Sequence, residues 1–225
     1  MNLIKLQSIF ILIIPFIISN VNAQTWNQIS DFPATERDDG TSFVIGNKAY
    51  CGTGYKAGWV ETKDFHALDM SSDSWSTISP LPSGEERQYA SGFSSPTQGY
   101  IFGGLKSGDY LNDLWMYDPI TDSWTEKTPL PDVGRRGAVS FVIDQFAYVV
   151  CGSTNTSDAI NEVWAYDISN DSWEQKNDFP FGSLYRASGA STLNYGYIIF
   201  GKDENNELKN KLYEYNPVLD TWILK

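Results

Sequence analysis

The stretch DLWMYDPITDSW, residues 113–124, contains the pattern that decides the fold. It begins with aromatic and aliphatic residues typical of a β-strand, passes through a turn rich in Pro and Asp, and ends at Trp124, where another strand begins. Its first six residues have counterparts elsewhere in the chain, namely DFHALD (64–69), EVWAYD (162–167) and KLYEYN (211–216). The stretch is therefore one part of a repeating unit.

Tryptophan gives the period of this unit. Five tryptophans lie 49 residues apart, at Trp26, Trp75, Trp124, Trp173 and Trp222. Turn residues recur at the same spacing, at Asp73, Asp122, Asp171 and Asp220 and at Pro33, Pro82, Pro131 and Pro180. Arginines recur at spacings of 50, 49 and 50, at Arg37, Arg87, Arg136 and Arg186. A fixed period of this length predicts stacked supersecondary units.

Each unit contains four short strands separated by turn signals. The second strand carries a tyrosine and ends in glycine, as in YIFGG (100–104), YVVCG (148–152) and YIIFG (197–201). Strands of β-branched and aromatic residues without a helical period predict an all-β, antiparallel fold.

An arginine is followed by a strand ending in glycine, a Y-D strand and a T-D-S-W turn. This order resembles the kelch repeat, whose unit is one blade of a β-propeller. The resemblance covers residues 26–225 and implies four four-stranded blades. The double glycine of the family is present only at Gly103-Gly104. The repeats implied are approximately 34–82, 83–131, 132–180 and 181–225.

Four blades are fewer than the roughly five to seven that kelch rings usually contain. Trp222 completes the fourth blade, which leaves an extra strand at 25–31 without a blade. We therefore expect an open or partial ring, a chain shortened relative to longer relatives, or an assembly in which two arcs share one ring. Unpaired edges favour association, so a homo-oligomer is also expected.

The N-terminal 23 residues resemble a secretory signal peptide. Lys5 precedes an apolar run from Ile9 to Ile18, and a polar stretch follows that ends in V-N-A, which predicts cleavage after Ala23. The apolar run is shorter than the ~20 residues of a spanning helix, and no second run follows. The expected product is a secreted propeller, residues 24–225, that is extracellular or periplasmic and has no membrane span.

Charge and composition exclude several functions. The formal net charge of −12 disfavours nucleic acid as a partner. The single histidine, His66, aligns with core aromatic residues of the other units, so we predict neither a histidine metal site nor a Ser-His triad, and no cofactor. Cys51 and Cys151 fall in different units and are predicted to be buried, free thiols.

The resemblance places the arginine-bearing loops at one end of the central channel. Arginines with nearby carboxylates and exposed aromatic rings suit acidic peptide side chains or sugars, through bidentate hydrogen bonds and stacking. The equally open structural alternative is that each arginine pairs with a carboxylate of a neighbouring blade or with a backbone carbonyl. The candidate ligand-binding residues are Arg37, Arg87, Arg136, Arg186, Glu36, Glu86, Trp59 and Tyr110.

These features favour a non-catalytic binding module for a protein or carbohydrate ligand over an enzyme. The alternative that the resemblance implies is a sugar mutarotase or epimerase of the sialic-acid type, with Glu86 beside Arg87 as the candidate pair. A third possibility is a truncated propeller that acts only as part of a larger assembly. Loops vary freely over such a scaffold, so the sequence names no ligand.

Overall fold

The structure, a computed structural model, describes residues 28–225, and all regular elements in this range are β-strands. Because the range contains no helix, it contains none that could cross a membrane. The predicted signal peptide, residues 1–23, lies outside the described residues.

The first part of the chain forms one four-stranded sheet and one small sheet. Blade 1 is an antiparallel sheet in the order β2-β3-β6-β7, and the small sheet has the order β1-β4-β5. The strands are β1 (Arg37–Asp38), β2 (Thr41–Ile45), β3 (Lys48–Gly52), β4 (Tyr55–Lys56), β5 (Val60–Glu61), β6 (Phe65–Asp69) and β7 (Ser74–Ile78).

Three further antiparallel sheets follow, each built from four consecutive strands. Blade 2 comprises β8 (Ser91–Ser94), β9 (Gly99–Lys106), β10 (Asp109–Asp118) and β11 (Ser123–Lys127). Blade 3 comprises β12 (Val139–Ile143), β13 (Phe146–Val150), β14 (Val163–Asp167) and β15 (Ser172–Lys176). Blade 4 comprises β16 (Ser188–Ser191), β17 (Gly196–Ile199), β18 (Leu212–Asn216) and β19 (Thr221–Leu224). The all-β prediction of four kelch-type blades is confirmed.

The core lies between successive blades. Phe141 in β12 stacks on Tyr148 in β13, with ring centroids 5.4 Å apart, and this pair packs against Tyr215 and Trp222 of blade 4. Similar clusters of buried residues join blade 1 to blade 2 and blade 2 to blade 3. Within residues 28–225 no such cluster joins blade 4 to blade 1, so the blades form an open arc.

The free face of blade 4 is more polar than the matching faces of the other blades. Ala190 stands at the position of the stacked phenylalanines, and Glu214 stands where blade 3 has Ala165. Glu214 accepts a hydrogen bond from Tyr197 at 2.8 Å and pairs with Lys225 at 3.0 Å. These substitutions reduce the apolar surface that this face offers to another blade.

A repeated pair of hydrogen bonds, which we call the interblade clasp, fastens blades 1, 2 and 3 to the segment before each of them. In blade 4 Asp220 keeps its bond to the Asn177 backbone, but the Trp222 indole N–H has no partner among residues 28–225. Asp122 accepts a hydrogen bond from the Ser79 backbone N–H at 2.9 Å, and the Trp124 indole donates to the Ser79 carbonyl at 2.8 Å. The same two bonds join Thr128 to Asp171 and Trp173. The 49-residue recurrence of Asp and Trp therefore has a structural cause.

The first interblade clasp lies in the strand predicted at 25–31. Its described part, residues 28–31, is irregular, because the Ser30 backbone bonds to side chains of blade 1 instead of to a neighbouring strand. Ser30 N–H donates to Asp73, and its carbonyl accepts from Trp75. Residues 25–27 lie outside the described range.

The clasp predicts acid sensitivity. Burial raises the pKa of Asp171, but hydrogen bonds from Tyr166, Lys127 and Thr128 outweigh burial and lower that pKa to about 2. A depressed pKa contributes stability above the ordinary aspartate value of about 3.9, and this contribution is lost as the pH falls towards 2. We expect the free energy of unfolding to fall less between pH 4 and pH 2 in Asp171→Asn than in the wild type. Equal losses in urea titrations would contradict this.

Both cysteines are free, as predicted, but the prediction that both are buried was wrong for Cys51, which is half-buried. Cys151 is fully buried, and burial raises the pKa of its thiol to about 12. A thiol with such a pKa carries almost no thiolate at neutral pH, so Cys151 is a packing residue.

The first strands of the four blades surround an open cavity of about 920 Å³, the central channel. Small residues allow these strands to approach one another. An added Cβ at Gly92 would lie 2.3 Å from the Ser42 carbonyl oxygen, and one at Gly189 would lie 2.4 Å from Val139. The loops that precede the four inner strands therefore converge at one end of the channel.

Candidate functional site

Two of the predicted ligand-binding arginines are buried in ion pairs within their own blades. Arg37 donates to both carboxylate oxygens of Asp64 at 2.7 and 2.9 Å, and Arg87 donates to both of Asp113 at 2.7 and 2.8 Å. The Arg87 side chain is 0% exposed. Arg87 therefore has no free surface for a ligand. Both arginines form structural ion pairs, as the alternative to ligand binding predicted, but the carboxylate lies in the same blade and not in a neighbouring one.

The sequence predicted that four arginines occupy equivalent positions in the four blades, and this prediction was wrong for Arg136 and Arg186. Cross-strand pairing aligns Arg136 with Gln88 and Tyr185, one residue beyond the arginine position. The blade 3 equivalent of Arg87 is Arg135, which is also 0% exposed and pairs with Glu162 at 2.8 Å. In blade 4 that position is Leu184. Arg136 and Arg186 are thus free of this structural role.

The mouth of the central channel is formed by four equivalent residues, each two positions before an inner strand. All four have left-handed backbone, with φ between 53 and 58°: Asp39 (53°), Tyr89 (58°), Gly137 (58°) and Arg186 (55°). Backbone hydrogen bonds link them in order, because Tyr89, Gly137 and Arg186 each donate to the carbonyl of the preceding member. Left-handed backbone at non-glycine residues is costly and clusters at functional sites.

Arg136 lies at this mouth between two tyrosine rings. Its guanidinium carbon is 5.2 Å from the ring centroid of Tyr89 and 5.3 Å from that of Tyr110. Cation–π attraction holds the side chain in place. Within residues 28–225 the Arg136 side chain has no hydrogen-bond or ion-pair partner, and it is half-buried. It is therefore a positioned cation whose hydrogen-bond donors remain available.

Arg186 lies on the other face of Tyr89, 4.7 Å from the ring centroid. It pairs with Asp39 at 2.9 Å, which connects blade 4 to the segment entering blade 1. Burial raises the pKa of the Tyr89 hydroxyl, and the neighbouring Asp39 carboxylate raises it further. The mouth therefore combines two guanidinium groups, one carboxylate and a neutral phenol, and a small pocket of about 70 Å³ lies among them.

The remaining predicted residues lie away from the mouth or at its edge. Glu86 pairs with Lys63 at 3.2 Å, so the structure does not bring Glu86 and Arg87 together as a catalytic pair. Glu36 is exposed and lies with Trp59 in a separate depression on the rim. Tyr110 is the one predicted aromatic residue that contacts a mouth arginine.

Sequence reasoning missed Tyr89 and Asp39. Neither lies at a position where the same residue type recurs, so periodicity carried no signal for them. The doublet Arg135-Arg136 was the available signal, because only one of its two residues can occupy the buried position.

Metal ligation has no support in the described part of the chain. Residues 28–225 contain no group of three or more His, Cys, Asp or Glu side chains placed to hold a metal ion. His66 Nε2 lies 3.3 Å from Asp64, and its ring packs edge-on against Phe32 with centroids 5.1 Å apart. His66 therefore belongs to the packing of blade 1.

The fold is that of a kelch-type β-propeller arc. The loops that precede its inner strands converge at the mouth of the central channel. The chain belongs to the Attractin/LZTR1 beta-propeller family, whose model matches residues 49–225. No curated protein matches the chain.

Among solved structures, the chain is similar to YjhT, with a TM-score of 0.75 and 19% sequence identity. The match covers 88% of this chain and 67% of YjhT. At this identity the similarity shows the shared kelch-type fold and nothing finer.

Proposed function

We propose that this protein is a non-catalytic binding module that recognises a carboxylate group, carried by a protein or a carbohydrate ligand, at the mouth of the central channel. The observation that carries the proposal is the Arg136 guanidinium. It is held between Tyr89 and Tyr110, and it has no partner of its own within residues 28–225.

The chemistry of guanidinium favours a carboxylate. Its planar donors match the two oxygens of a carboxylate, and a charge-assisted bidentate pair is stronger than a neutral hydrogen bond. Because the tyrosine rings already restrict Arg136, little side-chain entropy is lost on binding. The net charge of −12 repels anions at long range, so recognition rests on the short-range bidentate contact with Arg136.

The sequence pattern of residues 1–23 supports export, so we propose an extracellular or periplasmic location. A partner there would be a protein or a glycan exposed outside the cytoplasm.

Replacing Arg136 tests this function. Titration calorimetry of residues 24–225 would use two probes, N-acetylneuraminic acid and a hexaglutamate peptide. We expect Arg136→Ala to weaken binding of the recognised probe by roughly 10- to 100-fold, the loss typical of a hydrogen bond to a charged group. Arg136→Lys should give an intermediate loss, because lysine keeps the charge but not the bidentate geometry.

The matched control is Lys48→Ala, which removes the same charge from an exposed position at the start of β3, at the opposite end of blade 1 from the mouth. Unchanged affinity in Lys48→Ala with weakened affinity in Arg136→Ala supports the proposal. Equal affinities in all three proteins, or no binding of either probe, would overturn it.

The alternative of a mutarotase has one supporting feature, the Tyr89 hydroxyl beside Asp39 and Arg186. A phenol and a carboxylate in contact can exchange a proton with a sugar hydroxyl. Proton NMR of N-acetylneuraminic acid distinguishes the two functions. Interconversion of its anomers faster than in buffer would assign catalysis, whereas an unchanged rate with retained binding supports the binding module.

A further inference from the structure

A second candidate surface lies on the rim of blade 1, on the hairpin that joins β4 to β5. Its tip carries Trp59, whose side chain is 83% exposed. The strands of the small sheet hold this hairpin, because Tyr55 pairs with Asp38 and Glu61, and Lys56 pairs with Arg37 and Val60. We call the exposed part, residues 55–61, the aromatic hairpin.

The aromatic hairpin is fixed at both ends. Arg37 donates to the Thr53 carbonyl at 3.3 Å and to the Thr62 hydroxyl at 2.9 Å, so one buried guanidinium ties both flanks. Glu61 accepts hydrogen bonds from the Ser107 backbone N–H at 3.1 and 3.0 Å, which fastens the hairpin to blade 2. The exposed indole is therefore displayed from a rigid support.

The conformation of Trp59 is unfavourable for its residue type. Its φ is +62°, in the left-handed region, which residues with a Cβ rarely adopt. Tyr55 lies beside the indole, with ring centroids 5.7 Å apart and planes inclined at 50°. Such strain at an exposed aromatic residue that buries little surface points to a role outside folding.

The depression below Trp59 has a volume of about 560 Å³ and carries charged side chains. Glu36 and Asp38 are exposed, and neither side chain has a hydrogen-bond or ion-pair partner within residues 28–225. Lys56 lines the same depression. A flat aromatic surface next to hydrogen-bond acceptors matches a sugar ring, which presents apolar C–H groups on its face and hydroxyl donors at its edge.

We propose that Trp59 and Tyr55 form a carbohydrate-binding platform on which one neutral pyranose ring stacks, with Glu36 and Asp38 accepting hydrogen bonds from its hydroxyl groups. Arg37 also lines the depression, but its charge is balanced by Asp64, so two carboxylates against one ammonium group disfavour an anionic sugar here. The platform is independent of Arg136 and does not require the proposed anion site. An open surface suits a flat ring better than a small cation, which is bound by rings on several sides.

Binding of defined neutral hexasaccharides tests the platform. Residues 24–225 would be titrated with cellohexaose, xylohexaose, mannohexaose and chitohexaose, and indole fluorescence would be followed together with calorimetry. We expect at least one of these sugars to bind and to shift the emission of the exposed indole to shorter wavelength. Trp59→Ala should lose the spectral shift and weaken binding by roughly tenfold or more, because aromatic anchors dominate such contacts.

Three further variants give the test its controls. Trp59→Phe should weaken binding less than Trp59→Ala, because a smaller ring remains. Lys48→Ala removes a cation from the opposite end of blade 1 and should bind the sugar as the wild type does. Tyr195→Ala removes a partly exposed ring from the turn between β16 and β17 and should also leave binding unchanged.

Specific outcomes would overturn the proposal. They are no binding of any of the four sugars, sugar affinity that Trp59→Ala leaves unchanged, or binding of a hexalysine peptide at Trp59 in preference to every sugar. Circular dichroism of each variant would establish that the β-sheet signal is retained, so that a loss of binding is assigned to the side chain.

Discussion

Replacing Asp113 with alanine is expected to lower the free energy of unfolding by about 3–5 kcal/mol, the cost of leaving one member of a buried ion pair without its partner. Arg87 is 0% exposed and donates two hydrogen bonds to Asp113, at 2.7 and 2.8 Å. In Asp113→Ala only Glu85, at 2.8 Å, would remain to compensate the buried guanidinium. Urea unfolding followed by tryptophan fluorescence measures the loss.

Blade 4 suggests the control for this experiment. It has Leu184 at the arginine position and Lys211 at the carboxylate position, so both members of the pair are absent together. The double variant Arg87→Leu, Asp113→Ala also removes both, and no charge stays buried. We expect the double variant to unfold at a higher urea concentration than Asp113→Ala. If the double variant is as unstable as the single one or less stable, the uncompensated charge is not the cause.

The 49-residue period predicted the blades because one physical contact repeats with it. The interblade clasp needs Asp and Trp at fixed distances from the hairpin turn, and any insertion between them would break both bonds. The Asp and Trp positions are constrained within each unit, and their spacing in the sequence is therefore constant. The same reasoning predicted the four strands of each unit.

The arginine register was harder to predict because the loops that carry the arginines vary in length by one residue. Spacing alone cannot distinguish Arg135 from Arg136. The carboxylates Asp64, Asp113 and Glu162 keep the 49-residue period, but the buried arginine precedes its carboxylate by 27 residues in blades 1 and 3 and by 26 in blade 2, so they do not settle the register either. A buried guanidinium requires a carboxylate partner, so the carboxylate with the fixed period identifies the blade that needs a structural arginine.

The channel mouth could not be derived from the sequence. Tyr89 contacts Arg136 from one side and Arg186 from the other only because three blades bring their loops to one point. The left-handed backbone of Asp39 and Tyr89 turns these loops toward the channel. The residue types at these two positions do not predict this backbone conformation. Contacts between blades depend on the arc as a whole, whereas periodicity describes single blades.

The buried arginines connect the scaffold to the proposed binding surfaces. Arg37 ties both flanks of the aromatic hairpin, and Arg87 donates to the Gly103 carbonyl at the corresponding position of blade 2. In blade 4, where this arginine is missing, the loop is held instead by Tyr185, which donates to Asn206 at 2.7 Å. The repeating arginine therefore supports the loops, and the residues beside it are free to contact a ligand.

Replacing Phe141 with alanine is the second large perturbation, with an expected loss of about 3–5 kcal/mol in the free energy of unfolding. Phe141 is buried between blades 3 and 4 and packs over Gly196, where an added Cβ would lie 2.1 Å from its ring. Because glycine leaves space for the ring, truncation opens a cavity that the blade 4 backbone cannot fill. Phe141→Leu keeps much of the volume and should cost less.

The position of this cavity determines which part of the arc responds. In residues 28–225 the hydrophobic core of blade 4 packs against blade 3 alone, so Phe141→Ala removes an aromatic ring from its single described hydrophobic interface. Hydrogen exchange should therefore show loss of protection in β17 and β18, while β9 and β10 of blade 2 keep theirs. Uniform loss of protection across all four blades would contradict local detachment of blade 4, and an unfolding loss below about 1 kcal/mol would contradict the packing role of Phe141.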